Sequence, residues 1–387
     1  MTIFEVLTKR EILQVLKINH LQDFIVPRPG VALCRIEKIF EGWLLNILKN
    51  LGKIDRNVVI LHQIWSKCAH TKRNTAPILT TSYCLRTIPH AIFMTTNRID
   101  SCPICNGKHL IHKLSLTDSI SNKTFDILQC SDCGLHITQH APRMQEMSEF
   151  YPDSQSAIYK PAQSSCDKWL DHMLSGWYKE QVKIVREESE RHSGVLFEMG
   201  CKEGYFANAI RNNGWIAHAV EHDPTAREYG NKRFMLQVED SRRLFDINAR
   251  SYNVVVAWDT LGEAVDMHRT IEKLSQLIVK DGTLIIAFHN AACNDSKHYA
   301  SSWSGWNAPR KRWHLTPQAF EKLVELHNLE IVNLRHSTHR AIITATTSMW
   351  QACGQKNFAS TLWHNLKRVL TTHNDDTYYI YTLKHKQ

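Results

Sequence analysis

The chain has 387 residues, of which 43% are hydrophobic and 22% charged, a composition typical of a soluble globular protein with room for two or three domains. No apolar run reaches the roughly 18 residues that a spanning helix needs, and the N-terminus lacks a signal-peptide pattern, so we expect a cytoplasmic protein without a transmembrane segment. The formal net charge of +9 is concentrated in residues 1–93, which hold 13 Lys and Arg against 6 Asp and Glu, or +7. The remainder holds 34 basic and 32 acidic residues, or +2, and predicts no nucleic-acid partner.

Residues 1–93 contain two segments of helical periodicity, roughly 3–18 and 33–51. They predict a small helical packing unit, and a basic amphipathic segment that meets a membrane surface or a partner is the alternative. Because Met94 opens a stretch that would begin the next domain naturally, a third interpretation is that 1–93 is not part of the working protein.

The eleven cysteines, an odd number in a chain without an export signal, indicate reduced thiols. Four of them form two C-x-x-C pairs separated by 24 residues, Cys102 with Cys105 and Cys130 with Cys133. Four thiolates at this spacing suit one tetrahedral Zn²⁺, so we expect a structural zinc ribbon over 94–150 with a hairpin between the pairs. Such a site has no open coordination position and predicts a role in stability or docking; a redox pair or chance spacing is the alternative.

Residues 151–192 are predicted to be a connector between the ribbon and the next domain. Tyr151 and Tyr159 follow a short acidic segment, and they either line a ligand pocket or pack under a loop. A long helical pattern over 165–192 then leads into the first strand of that domain.

The stretch 195–206, VLFEMGCKEGYF, carries the strongest sign of a ligand site in that domain. Its apolar run breaks at Gly200 and reaches Gly204 before a helical segment, which predicts a strand, a tight turn and a helix start. Glycine permits positive φ there and lets a ligand approach backbone N–H groups. A second apolar run over 216–220 ends in Glu221, an acidic residue placed to accept both hydroxyl hydrogens of a ribose. An ordinary strand, turn and helix without a ligand is the alternative.

The pattern E-x-G-x-x-x-G at Glu198, Gly200 and Gly204, with a second strand ending in Glu221, resembles motifs I and II of class I S-adenosylmethionine-dependent methyltransferases. The family's usual turn has a further glycine where this chain has Lys202, which places a cation close to the methionine end of the cofactor. A dinucleotide-binding corner is the natural competitor. The cofactor-binding residues that the resemblance implies are Glu198, Gly200, Cys201, Lys202, Gly204, Glu221, His222, Glu239, Asp240 and Asp259.

Later landmarks follow in the order of the same family. A short strand is predicted over 234–238, and a buried strand over 252–258 ends in Asp259. The family often continues D-x-L-E-H, whereas this chain has Gly262 and Glu263 in place of the E-H pair.

The last landmarks bring histidines to the predicted sheet edge. A helix over 267–279, with Gly282 as its C-cap, precedes a strand that delivers His289. The stretch H-L-T-P at His314 resembles the segment before the family's last helix. The candidate catalytic bases are therefore His289 and His314.

Two insertions accompany the predicted domain. Residues 341–372 read as a helical lid or interface element, and 291–313 combines tryptophans with cations. The aromatic walls and cations could grip a sugar or a nucleotide-linked, anionic acceptor, or the tryptophans of a lid could pack on the core. The residues concerned are Trp303, Trp306, Trp313, Arg310, Lys311 and Arg312.

The sequence thus predicts an α/β fold, a Rossmann-like seven-stranded class I methyltransferase sheet over 193–387 with an antiparallel final strand pair, preceded by a zinc ribbon and a helical N-terminal segment. The resemblance implies methyl transfer from S-adenosyl-L-methionine to a small-molecule acceptor, with Zn²⁺ as a structural cofactor. Two other classes stay open: a catalytically inactive methyltransferase-like binding or scaffold protein with structural zinc, and a nicotinamide-dependent oxidoreductase.

Overall fold

The computed structural model describes residues 98–154, 156, 159–160, 164–353 and 376–386. The described residues belong to one unit of the chain, Asn97–Gln387. The helical patterns predicted within 1–93 lie outside the described residues. None of the helices in the described ranges is both long and apolar enough to span a bilayer.

The described residues form strands and helices that alternate through most of the chain. The strands are β1 (Leu110–Thr117), β2 (Thr124–Cys130), β3 (His136–Thr138), β4 (Val195–Met199), β5 (Ile216–Glu221), β6 (Val238–Asp240), β7 (Tyr252–Trp258), β8 (Ile278–His289), β9 (Trp313–His314), β10 (Leu329–His336) and β11 (Tyr378–His385). The helices are α1 (Ser165–Ser189), α2 (Tyr205–Arg211), α3 (Pro224–Phe234), α4 (Met267–Leu277), α5 (Asn294–Tyr299), α6 (Pro317–Glu325) and α7 (Thr338–Cys353).

Seven strands form the main sheet in the order β10-β11-β8-β7-β4-β5-β6. Strands β4 to β8 are parallel to one another, whereas β11 runs antiparallel to both β8 and β10. This is the Rossmann-like class I methyltransferase fold, and the prediction of it is confirmed. The chain passes from β4 outward to β6 and returns to β7 on the other side of β4, so β4 and β7 flank the crevice where ligands bind in open α/β sheets.

The central strands are apolar on both faces because the sheet is covered on both sides. In β7, Val254 and Val256 pack with Trp177 of α1 on one side, and Val255 packs with Leu274 of α4 on the other. Successive side chains of a strand point to opposite faces, so a continuous apolar run fills two hydrophobic layers.

Capping residues start the helices that follow the strands and so shorten the connecting loops. Asp223 accepts a hydrogen bond from the Thr225 N–H at 2.8 Å at the start of α3. Thr316 accepts one from Ala319 N–H at 3.2 Å at the start of α6. A proline follows each cap, at a position where its missing N–H costs no helical hydrogen bond.

Two boundaries differ from the sequence predictions. The short strand predicted over 234–238 is β6, Val238–Asp240, so it begins four residues and ends two residues later than predicted. The reason is that α3 extends through Phe234. The prediction that Gly282 caps a helix is wrong: α4 ends at Leu277, and Gly282 lies inside β8. The ladder between β7 and β8 shifts in register before Thr283, and this irregularity accommodates the residues that were predicted to form a turn.

A smaller sheet has the order β1-β2-β3-β9. Strands β1 and β2 form the antiparallel hairpin expected between the cysteine pairs. Its fourth strand, β9, begins at the last residue of the insertion 291–313: Trp313 pairs with Ile137, and His314 directly after the insertion pairs with His136. Strand β9 therefore joins the main domain to the small sheet by hydrogen bonds to β3, a connection that the sequence did not predict.

The insertion 291–313 packs as part of the core. Trp303 and Trp306 are each only 2% exposed and lie in one apolar cluster with Leu116 and Ile127 of the hairpin. The alternative that these tryptophans pack is therefore what the structure shows, and they form no open wall for a sugar. Helix α7 covers the first part of the predicted element 341–372, whose remainder from 354 lies outside the described residues.

A buried ion pair joins the hairpin to the insertion. Asp118, whose side chain is fully buried, accepts a hydrogen bond at 2.8 Å from Arg310, whose side chain is 14% exposed. We expect Asp118→Asn to lower the free energy of unfolding by about 3–5 kcal/mol, because Arg310 keeps its charge and loses its counterion. Urea unfolding at pH 7 measures the change, and Asp126→Asn in an exposed position of β2 is the control.

The same pair predicts a pH dependence. Burial raises the pKa of Asp118, but hydrogen bonds from Ser121 and the charge of Arg310 outweigh burial and hold the pKa below its ordinary value. A carboxyl with a lowered folded pKa stabilises the fold above its unfolded pKa, about 3.9, and this stabilisation is lost as the pH falls. Asp118→Asn should therefore lose less stability than wild type between pH 5 and pH 3. Equal acid sensitivity of the two proteins would contradict this role.

Candidate functional site

Three loops meet at the C-terminal edge of the main sheet, after β4, β5 and β7, and we call this region the ligand corner. The β4 loop turns through Gly200 and Gly204, whose φ angles are +71° and +79°. The Gly200 N–H donates to Val220 O at 2.8 Å, so the turn lies against the end of β5. A Cβ on Gly200 would lie 2.4 Å from Thr260 Cγ2. Both the backbone angle and the close approach require glycine there.

The carboxylate of Glu221 holds the ligand corner together. Its Oε2 accepts a hydrogen bond from the Lys202 N–H at 2.8 Å. Its Oε1 accepts from the N–H groups of His222 at 2.7 Å and Asp223 at 2.9 Å. A carboxylate has about four lone-pair directions, so the three amides leave one acceptor direction for a ligand hydroxyl. Glu221 lies where the sequence placed it, and it also fixes the shape of the turn.

Glu198 lies under the turn as a buried acceptor. It is 3% exposed, and its Oε2 has no hydrogen-bond partner among the described residues. Burial and the nearby charge of Glu221 raise the pKa of Glu198 to about 8, and the Lys202 ammonium opposes the rise. A buried acceptor without a partner is unfavourable unless a donor or a cation reaches it. Glu198 therefore suits a ligand that brings a positively charged N–H group.

Cys201 contributes only its backbone to the ligand corner. Its side chain is buried in an apolar cluster with Ala207, Leu236 and Val238. Burial raises the pKa of the Cys201 thiol well above its ordinary value. The thiol is thus a core group of the turn.

The predicted connector brings two tyrosines to the ligand corner. The ring of Tyr151 lies 5.8 Å from that of His222, between centroids. The Tyr159 hydroxyl donates to Asp223 Oδ2 at 3.3 Å, and its ring lies 5.3 Å from that of Tyr229. Burial and the charges of Glu263 and Glu221 raise the pKa of Tyr151 above its ordinary value. Both tyrosines thus pack beside the ligand corner, and their contact with a ligand stays a prediction.

The acidic residues at the end of β6 bind arginines. Glu239 has a 62% exposed side chain and pairs with Arg243. Asp240 accepts from the backbone and the guanidinium of Arg242 and pairs with Arg227 at 3.3 Å. The hydrogen bonds from Arg242 lower the pKa of Asp240 to about 2. Both side chains are thus engaged by arginines, and the contact with a cofactor that was predicted for these residues stays a prediction.

Asp259 ends β7 and forms a buried ion pair. Its Oδ1 accepts from Lys311 Nζ at 2.7 Å and its Oδ2 lies 2.8 Å from His289 Nδ1. Burial raises the pKa of Asp259, but His289 and Lys311 outweigh it and hold the pKa well below its ordinary value. Burial lowers the pKa of Lys311 as well. The sequence treated Lys311 as a group for an acceptor, whereas the structure uses it as the counterion of Asp259.

Both histidines predicted as bases are buried in this neighbourhood. His289 Nε2 lies 2.8 Å from Thr344 Oγ1, and burial lowers the pKa of His289 to about 4. His314 Nε2 lies 2.8 Å from Thr138 Oγ1, and its ring packs against Trp306. The cavity between the two histidines has a volume of about 10 Å³, room for about one water. The proposal that either histidine serves as the base finds no support in this geometry.

Glu263 is a site residue that the sequence analysis did not select. It lies in the turn directly after Asp259, and its carboxylate forms no hydrogen bond with another described residue. Burial raises the pKa of Glu263 to about 7, opposed by the Lys202 ammonium and reinforced by the Glu221 charge. The sequence offered one indication of this role: Glu263 stands where the D-x-L-E-H pattern that begins at Asp259 has its histidine.

The four cysteines of the two C-x-x-C pairs form a candidate metal centre. Their sulfurs all lie within 4.8 Å of one another. Cys102 Sγ and Cys133 Sγ are 3.5 Å apart, as are the sulfurs of Cys105 and Cys130. Zn–S bonds of about 2.3 Å at tetrahedral angles place sulfurs about 3.8 Å apart. The arrangement could therefore hold one tetrahedral ion.

The main domain matches a family model. Residues 170–334 match the model described as a methyltransferase domain, a range that contains the whole ligand corner apart from Tyr151 and Tyr159. A search of curated protein sequences finds no match to the chain.

Solved structures similar to the chain include several methyltransferases. One is geranyl diphosphate C-methyltransferase from Streptomyces coelicolor, at 12% identity and a TM-score of 0.44, which covers 63% of this chain and 98% of that one. Another is magnesium protoporphyrin IX methyltransferase from Synechocystis, at 11% identity and a TM-score of 0.40, covering 59% and 91%. A third is a putative sarcosine dimethylglycine methyltransferase from Galdieria sulphuraria, at 10% identity and a TM-score of 0.39, covering 57% and 85%. Similarity at this level carries no inference about a substrate.

The ion pair of Asp259 and Lys311 predicts a large effect of mutation. We expect Lys311→Met to lower the free energy of unfolding by about 3–5 kcal/mol, since Asp259 stays buried without its counterion. Denaturant unfolding at pH 7 measures the change, with Lys322→Met on the exposed side of α6 as the control for loss of one lysine charge. If the two variants lost the same small amount, Lys311 would not be the stabilising partner of Asp259.

Proposed function

We propose that the chain is an S-adenosylmethionine-dependent methyltransferase that acts on a small-molecule acceptor. The observation that carries this proposal is the ligand corner itself. A glycine turn after β4 and an acidic residue at the end of β5 meet beside the crevice between β4 and β7, within the range that matches the methyltransferase model. This is the place where an open α/β sheet binds a nucleotide-type ligand.

The residues present fit such a cofactor. The turn at Gly200 has no space for a Cβ, because Thr260 lies against it, so only backbone atoms of this residue can meet a ligand there. The free acceptor direction of Glu221 suits a ribose hydroxyl, and the unpartnered Oε2 of Glu198 suits the positively charged amino group. When bound, the cofactor supplies a methyl group on a sulfonium. The task of the protein is then to position an acceptor in line with that group and to exclude water.

Proton acceptance falls to Glu263 when the attacking atom of the acceptor carries a proton. Its carboxylate is free of hydrogen bonds to other described residues, and its pKa of about 7 matches the pH at which a general base works best. Glu263 replaces His289 and His314 as the candidate base, because both histidines lie in a buried cluster with little free volume.

The cations of the insertion do not support an anionic acceptor. Arg310 pairs with Asp118, Lys311 with Asp259, and the Arg312 guanidinium donates to Pro142 O. Two of the three charges are thus neutralised by buried carboxylates, and the third cation is held by a backbone carbonyl, so the insertion offers a nucleotide-linked acceptor no cluster of free cations. The acceptor class proposed here is accordingly a small molecule without a phosphate requirement.

Glu221 tests the proposal, with Glu239 as a matched control. Glu221→Ala should weaken S-adenosylhomocysteine binding at least roughly tenfold, because it removes the acceptor for the ligand and releases three loop amides. Glu239→Ala, at the end of the next strand but with an exposed side chain, should leave binding unchanged. Isothermal titration calorimetry measures both variants, and circular dichroism checks their folding.

The outcomes separate the classes left open by the sequence. Absence of heat with S-adenosylhomocysteine at millimolar concentration would favour an inactive scaffold, and heat with NAD instead would favour a nicotinamide-dependent enzyme. The comparisons give neither alternative any support.

We also propose that the four cysteines bind one structural Zn²⁺. The proximity of the sulfurs supports this, and a site of four thiolates is closed, so the ion would stabilise the small sheet and take no part in methyl transfer. Because β3 of this sheet pairs with β9, the ion would also support the insertion that carries Lys311.

Metal analysis tests the proposed zinc site. Purified protein should contain one zinc per chain, and Cys130→Ser should lose the zinc and unfold at a lower temperature. Cys166→Ser, which changes a buried thiol outside the cluster, should keep the zinc. A disulfide between two of the four cysteines in the purified protein, found by mass spectrometry, would contradict the assignment.

A further inference from the structure

Lys202 occupies the middle of the turn in an unusual backbone conformation. Its φ is +53°, in the left-handed region that a residue with a Cβ occupies at a cost of roughly 1–2 kcal/mol. Its N–H is fixed by the hydrogen bond to Glu221 at 2.8 Å. A glycine would adopt this conformation without the cost, so the side chain of Lys202 requires a separate explanation.

The ammonium of Lys202 is not used by the described part of the protein. It forms no hydrogen bond or ion pair with any described residue, whereas Lys311 and Arg310 are both ion-paired. Its charge opposes the burial-driven rise in the pKa of Glu198 and Glu263. Glu198 belongs to β4 and Glu263 to the turn after β7, and Lys202 lies in the turn after β4, so all three residues belong to the elements that flank the crevice.

The acidic residues around Lys202 indicate a role for its ammonium in ligand binding. Glu198 near the end of β4, Glu221 at the end of β5 and Glu263 after β7 bring three acidic residues to the elements that form the ligand corner. Such a site suits the positive sulfonium and amino groups of S-adenosylmethionine. Glu221 repels the one anionic group of that molecule, its α-carboxylate, and Glu198 and Glu263 add to the repulsion in their ionised forms. A fixed cation among them removes the repulsion and supplies a charge-assisted hydrogen bond.

We infer that the Lys202 ammonium binds the α-carboxylate of the methionine moiety and makes the site select ligands that carry this carboxylate. The inference rests on the proposed function. It makes Lys202 a specificity-determining residue in a turn whose neighbours Gly200 and Gly204 contribute backbone. The competing possibility is that the lysine side chain fills the space of the ligand and weakens binding of every ligand alike.

Two ligands distinguish these cases: S-adenosylhomocysteine and its decarboxylated analogue, 5′-(3-aminopropylthio)-5′-deoxyadenosine. They share the adenosine, the thioether and the amino group, and differ in the carboxylate. We expect the full chain to bind S-adenosylhomocysteine at least roughly tenfold more tightly than the analogue, as for a charge-assisted hydrogen bond. In Lys202→Met the preference should fall to about one, whereas Lys202→Arg should keep most of it.

Arg250→Met is the matched control. Arg250 is an exposed cation with the same φ of +53°, outside the ligand corner, so this variant changes the charge and the backbone preference in the same way. It should leave both affinities unchanged. Lys202→Gly, which relieves the backbone cost, should lose the preference as Lys202→Met does, and circular dichroism checks the fold of each variant.

Calorimetric titrations then decide the inference. An unchanged preference in Lys202→Met overturns it, as does equal tightening of both ligands, which would mean that the side chain only fills space. In both cases S-adenosylhomocysteine still binds and the proposed function stands. If neither ligand binds to wild type or to any variant, the proposed function fails together with the inference.

Discussion

The buried carboxylate of Glu221 is the group on which the ligand corner depends. It bonds to three backbone amides, one in the turn after β4 and two in its own loop after β5. A buried carboxylate is costly without such donors, so the two loops have one relative position that satisfies it. The positive φ angles of Gly200 and Gly204 let the backbone of the turn follow the path that carries the Lys202 amide to Glu221. The shape of the site is thus set by a hydrogen-bonded anion and by two residues without side chains.

A second constraint joins the small sheet to the main domain. The insertion supplies β9 to the small sheet, two tryptophans to an apolar cluster and Lys311 to Asp259. The Thr138 hydroxyl donates to Lys311 O at 2.7 Å, so the backbone that carries the lysine is held by β3. A displacement of β3 in the small sheet would therefore move Lys311 and, through it, Asp259 at the end of β7. The small sheet belongs to the same hydrogen-bonded structure as the ligand corner.

Charge in the ligand corner is arranged by burial. Glu198 and Glu263 have raised pKa values because they are desolvated, and the low pKa of Asp259 reflects two bonded partners. A site with several desolvated acids favours a ligand with positive charge. Lys202 balances them without an ion pair of its own among the described residues. The departure from the family's glycine thus has a physical role in the proposed complex.

The sequence alone determined the strand and turn pattern around Glu198, Gly200 and Glu221 and the pairing of the two C-x-x-C motifs. Apolar periodicity, glycine turns and short cysteine spacings are local signals, because each involves residues within about twenty positions of one another in the sequence. Only the tertiary structure decided that β9 completes the small sheet, and that Lys311 serves Asp259, 52 residues away. It likewise placed Gly282 inside a strand and buried the two histidines. These outcomes depend on which distant groups a folded chain brings together, and no local pattern of residues encodes that.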